Sequence, residues 1–79
     1  MKDKLYVVEG SHDEALLKHV YPEIKTISVG GSQIKDDVLK FLIEHQGEFE
    51  IILILDPDHQ GKRIRDKLSS VLKEPKHIF

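Results

Sequence analysis

The 79-residue sequence contains no cysteine and no tryptophan. Without cysteine there is neither a disulfide nor a thiolate metal site, which suits a reducing compartment. No apolar run approaches the roughly 20 residues that a membrane-spanning helix needs. The start, MKDKLYVVEG, lacks the layout of a secretion signal. The expected location is therefore cytoplasmic, with no membrane partner. A strong charge of one sign is also lacking: the net charge is −2, which argues against a broadly basic clamp on nucleic acid. Internal repeats, low-complexity tracts and interdomain linkers are missing as well. This length holds one small domain at most. The expectation is a single domain over residues 1–79, either a minimal module or a piece of a longer chain.

What is present is charge, at 33% of the residues, and its distribution says more than its sum. Cations concentrate at Lys62, Arg63, Arg65, Lys67, Lys73 and Lys76, so the last third is the most basic. Short apolar runs alternate with segments of helical period. LYVV (Leu5 to Val8) reads as a buried strand ended by Glu9-Gly10. SHDEALLKHV follows, with Ser11 and Glu14 spaced as a capping box and Leu16, Leu17 and Val20 as the inward face. IKTISV (Ile24 to Val29) predicts a second strand, stopped by Gly30-Gly31.

Ser32 is placed to cap a second helix, whose packed face is Ile34, Val38, Phe41 and Leu42. FEIILIL (Phe49 to Leu55) is the most hydrophobic segment and the best candidate for a central strand. From Gly61 the positions Ile64, Leu68, Val71 and Leu72 again have helical spacing, and HIF (His77 to Phe79) starts a fourth strand. The order β-α-β-α-β-α-β predicts a parallel four-stranded sheet flanked by helices, a three-layer α/β/α fold of Rossmann-like type.

In open parallel sheets, sites form beyond the carboxyl ends of strands, where neighbouring connections diverge. Here those positions hold Glu9-Gly10, Gly30-Gly31-Ser32 and Asp56-Pro57-Asp58. If the first and third strands are neighbours, Glu9 meets Asp56 and Asp58 in one crevice. Two carboxylates about 4 Å apart repel by about 4 kcal/mol at an effective dielectric of about 20. A hard divalent cation with oxygen ligands would relieve that repulsion. Asp-Pro-Asp is also good turn chemistry, and an acid after a strand often only caps a helix.

Together, VVEGSHD and LDPDHQGKRIR resemble the Toprim domain, which marks its site with Glu-Gly after the first strand and Asp-x-Asp after the third. Glu9, Asp13, Asp56 and Asp58 fall on those marks in order. Within that class, TISVGGSQI, DPDHQGKRIR and the terminal KHIF are most similar to the nucleases that mature 5S ribosomal RNA precursors. The resemblance implies a Toprim fold and a Mg²⁺-dependent endoribonuclease, with Mn²⁺ as a substitute ion. It implies structured RNA as the partner, and a ribosomal protein bound to 5S rRNA as a further one. By resemblance Glu9 and Asp56 are catalytic, Glu9, Asp56 and Asp58 hold the metal, and Asp13 is a supporting acid. That family continues past the point where this sequence stops.

The remaining candidates each carry two readings. Asp13 either supports the site or favours a helix N-terminus through its dipole. Gly30, Gly31 and Ser32 either offer amides to a phosphate or only turn the chain. Arg65 is the candidate for a phosphate contact or a partner for the acids, Lys62 is the second, and a solvated helix face explains their neighbours. His12 and His59 flank the acids without any metal-ligand spacing. Two other functions compete with the nuclease. One is a Toprim module that binds metal and nucleic acid without cutting. The other is a receiver-like domain accepting a phosphoryl group, for which the chain lacks the later Ser/Thr and Lys.

Overall fold

A computed structural model describes residues 2–30, 34–55, 59–73 and 75–78. The strands are β1 (Asp3–Val8), β2 (Thr26–Ser28), β3 (Phe49–Ile54) and β4 (Lys76–Ile78). Between them run α1 (Ser11–Val20), α2 (Asp36–His45) and α3 (His59–Val71). All pairings are parallel and the sheet order is β2-β1-β3-β4. β1 and β3 are therefore the central strands, as their apolar runs require. They pair from Asp3↔Phe49 to Val8↔Ile54, so their carboxyl ends are level.

The chain steps one way from β1 to β2 and the other way from β2 onwards. Right-handed crossovers then put α1 on one face of the sheet and α2 with α3 on the other. The two faces are filled unequally. The α2/α3 face holds Leu5 and Val7 of β1 and Ile51 and Leu53 of β3, packed with Leu42, Ile64, Leu68 and Leu72. Burying each such side chain is worth about 1.5–3 kcal/mol. On the α1 face Val8 and Ile52 are buried outside that cluster, and α1 itself buries no residue.

Several sequence expectations change at this point. Leu16 and Val20 do not form an inward face: they are 54% and 63% exposed, and Leu17 is half-buried. A groove of about 690 Å³ is left between Leu17, Val20 and Tyr21 and the strand residues Tyr6 and Ile54. The capping box at Ser11 is not formed either. Gly10 is the N-cap and no side chain caps the helix. Glu14 instead accepts a hydrogen bond from Thr26 Oγ1 at 2.8 Å, tying α1 to β2. α2 begins at Asp36 with Lys35 as its N-cap, and Ser32 lies outside the described residues. α3 begins two residues before Gly61. β1 starts earlier than expected, at Asp3, and β2 is shorter, at Thr26–Ser28.

Candidate active site

The reversal of direction in the sheet order falls between β1 and β3, so the switch point lies beyond Val8 and Ile54. Glu9 follows Val8 there, while Leu55 follows Ile54 and Asp56 is the next residue in the chain. Glu9 is half-buried. It lines a cleft of about 240 Å³ together with Val8, Asp13, Leu16, Leu17 and Ile54. Asp13 reaches this cleft because α1 starts at Ser11, immediately beyond the extended Gly10. Asp13 and Glu14 both sit in the first turn of α1, where the helix dipole favours an acid. The bond to Thr26 turns Glu14 toward β2, so of the two only Asp13 lines the cleft.

α3 faces the other side of the same end. Ile64 and Leu68 are buried and fix the helix against the sheet, which sets the direction of Arg65 between them. Arg65 is half-buried and its Nη2 donates to the Leu55 carbonyl at 3.2 Å. It thus joins α3 to the residue that precedes Asp56. Lys62, Arg63 and Lys67 are exposed. Gly30 has φ +100°, and a Cβ there would come within 2.8 Å of the Lys35 side chain. Gly30 therefore serves a turn that other residues adopt poorly.

The structure brings Glu9 and Asp13 to one cleft and places Arg65 behind the end of β3. Asp56, Asp58, Gly31 and Ser32 lie outside the described residues, as does the side chain of His59. His12 is exposed. Among the described residues no three His, Asp or Glu side chains are grouped to hold a metal ion. The described donors, Glu9 and Asp13, are hard oxygen ligands of the type that Mg²⁺ takes. Two contacts had no signal in the sequence: Thr26 to Glu14, and Arg65 to the Leu55 carbonyl. Both depend on which strands and helices become neighbours.

The family model described as Toprim domain matches residues 4–79. The chain belongs to the Toprim family. Its parallel four-stranded sheet with three helices is consistent with the Toprim α/β fold. Toprim domains bind Mg²⁺. The chain is also similar to curated bacterial proteins named ribonuclease M5. It is 39% identical over 77 residues to the Lactococcus lactis protein, covering 98% of this chain and 37% of that one. To the Mycoplasma genitalium protein it is 36% identical over 70 residues, covering 89% of this chain and 39% of that one. To the Bacillus subtilis protein it is 34% identical over 76 residues, covering 96% and 40%. The chain therefore spans about two-fifths of the length of these relatives. Among the described residues no helix is long and apolar enough to cross a membrane.

Proposed function

We propose that this Toprim domain is the Mg²⁺-dependent part of an endoribonuclease that hydrolyses phosphodiester bonds in structured RNA, as in the processing of 5S ribosomal RNA precursors. The observation that carries the reading is the level pairing of Val8 with Ile54. It sets Glu9 beside the strand end that leads into Asp56, at the switch point of the sheet. Ribonucleases among the relatives support RNA as the substrate.

Glu9, Asp56 and Asp58 would hold the cation, with Asp13 as a supporting acid at the rim of the cleft. Mn²⁺ suits the same oxygen donors. A bound divalent cation supplies positive charge to the phosphoryl oxygens as negative charge builds on them. Hydrolysis adds water at phosphorus and breaks a phosphorus–oxygen bond, so one proton leaves the nucleophile and one is needed by the leaving alkoxide. Glu9 is the group that moves a proton there, half-buried and beside the strand end. Lys62, exposed near the start of α3, is the phosphate contact, with Gly31 and Ser32 as further candidates. Arg65 acts from behind, holding the Leu55 carbonyl. A ribosomal protein bound to 5S rRNA belongs to this reading as a further partner.

The test is single-turnover cleavage of a structured precursor RNA by the 79-residue chain, in Mg²⁺ and in EDTA. Slow cutting is expected, because misplacing the scissile phosphate by about 1 Å costs on the order of a hundredfold, and the chain spans only about two-fifths of the length of its ribonuclease relatives. The cutting should vanish in EDTA and with Glu9→Gln. Cutting that persists in either case would contradict the proposal. RNA binding without any cutting would favour the non-cleaving Toprim module.

A further inference from the structure

The end of the sheet opposite the acids gathers lysines from both ends of the sequence. Lys2 comes from just before β1, Lys4 from its second residue, Lys73 from just beyond α3, and Lys76 from the first residue of β4. All are exposed. Lys2, Lys73 and Lys76 line a depression of about 360 Å³, with the Gln46 amide beside them and Glu50 as its one described carboxylate. Lys4 pairs in register with Glu50 of β3, and Lys76 is level with Ile52 two residues on, so the three share one sheet face. Glu50 forms an ion pair with Lys76. That bond, and then the charges of Lys76, Lys4 and Lys2, hold its carboxyl below the ordinary glutamate range. Glu48, in the neighbouring turn, is paired with His45 at 2.9 Å.

Part of this cluster has a plain structural use. A lysine on an edge strand such as β4 discourages pairing with another sheet, and Lys76 serves that end. That use does not extend to the others. Lys4 lies on a central strand of a parallel sheet, where both faces are ordinarily covered and apolar. Lys2 and Lys73 lie outside the strands. At this end of the sheet Asp3 is paired with Lys25, Glu48 with His45 and Glu50 with Lys76, and Glu23 lies beside Lys4, so Lys2, Lys4 and Lys73 bring positive charge in addition to those ion pairs.

We infer that this lysine cluster, Lys2, Lys4, Lys73 and Lys76, is a second RNA contact that holds the phosphate backbone away from the cleavage site. The inference rests on the proposed action on RNA. Lys4, on β1, and Glu9, just past its end, are five residues apart, about 17 Å at strand spacing. One strand of a duplex spans that distance with only a few phosphates. An RNA seated on the lysines therefore reaches the acids without bending. Its cationic hold offsets the repulsion that the acids impose on an approaching polyanion. Gln46 positions the cluster: its Oε1 accepts from the Lys73 backbone N–H at 2.7 Å while its Nε2 donates to the Ile43 carbonyl at 3.2 Å.

The test is fluorescence-anisotropy binding of a labelled duplex RNA to the 79-residue chain, over a range of salt concentrations in Mg²⁺. Lys2→Gln/Lys73→Gln is compared with Lys18→Gln/Lys40→Gln, a pair that removes the same charge from exposed positions on α1 and α2. Each phosphate contact contributes about 0.9 to the slope of log affinity against log salt. The first pair should flatten that slope by about 2 and weaken low-salt binding at least tenfold. The second should change the slope by less than about 0.5. Melting temperature and its response to Mg²⁺ should be the same in both. Equal losses from the two pairs, or no loss from the first, would overturn this surface while leaving RNA as the substrate. No RNA binding by the parent chain at the lowest salt would overturn both.

Discussion

The two ends of the central sheet are made in different ways. At the carboxyl end, Glu9 follows β1, Asp13 comes from the first turn of α1, and Asp56 and Asp58 follow β3 closely in the chain. At the amino end, Lys2 and Lys4 meet Lys73 and Lys76, which are about 70 positions away in the sequence. The acids are contiguous with the strands that present them, whereas the lysines meet only because β1 and β4 flank β3. A site grafted onto strand ends is thus a local property, and a charged patch on the same scaffold is a property of the whole fold. The ends also complement each other. Crowded carboxylates repel a polyanion unless a cation intervenes, and lysines attract it without one.

The comparison breaks altogether if the shared scaffold fails. Leu53 is fully buried on β3, between the two ends. Leu53→Ala should cost about 2–5 kcal/mol, and metal and RNA binding should be lost together. Val20→Ala, on the open face, should stay within about 0.5 kcal/mol of the parent. Urea unfolding of the three proteins measures this. A large cost at Val20 would mean that the α1 face is packed more tightly than its exposure indicates.

A smaller effect separates the ends. Arg65→Ala removes the donor to the Leu55 carbonyl and should destabilise by about 1–3 kcal/mol. It should weaken Mn²⁺ binding at the carboxyl end and leave the salt dependence of RNA binding unchanged. Arg65→Lys should restore little, since an ammonium lacks the planar fork. If the salt slope falls by about one in Arg65→Ala, the guanidinium touches phosphate instead.

The smallest effect belongs to the amino end. Lys25 donates to Asp3 at 2.7 Å, and Lys76 bonds to Glu50. These bonds lower both carboxyls below their ordinary range. A carboxyl lowered in the folded state contributes stability above its unfolded pKa. That contribution is lost as pH falls below about 4 through the folded value. Asp3 is exposed and Glu50 is half-buried but solvent-accessible, so the loss should be slight and should fade in salt. Melting curves at low ionic strength, with and without Lys76→Gln, should show a shallower acid limb in the variant. Identical limbs would count against the pairing.

Much of the fold was legible because alternation of apolar runs is local. LYVV falls within β1, FEIILIL forms β3 except for its last residue Leu55, and Ile64, Leu68 and Leu72 turn inward as their spacing predicts. The place of Glu9 just past a strand end was legible for the same reason, whereas Asp56 and Asp58 lie outside the described residues. The face of α1 was not. Leu16 and Val20 have inward spacing, yet the helix flanks the sheet and leaves them exposed. Glu14 has capping-box spacing, but Thr26 captures it across 12 positions. Arg65 was one cation among several until its helix was anchored against β3, which aimed it at Leu55. Lys2 and Lys4 carried no signal at all, since their neighbours are set by strand order.

The most direct test of the account is a thermal-shift titration with Mg²⁺ and Mn²⁺ on the parent, Asp56→Asn and Glu9→Gln. Ligand at a hundredfold its dissociation constant stabilises the folded state by about 2.7 kcal/mol. For a domain of this size that corresponds to a rise of about 10 °C or more in melting temperature. The parent should show that rise. Asp56→Asn should melt higher than the parent without metal, because one repelling charge is gone, and should show no rise with it. Glu9→Gln should respond more weakly than the parent. The same metal-induced rise in all three proteins would contradict a cation held between the ends of β1 and β3.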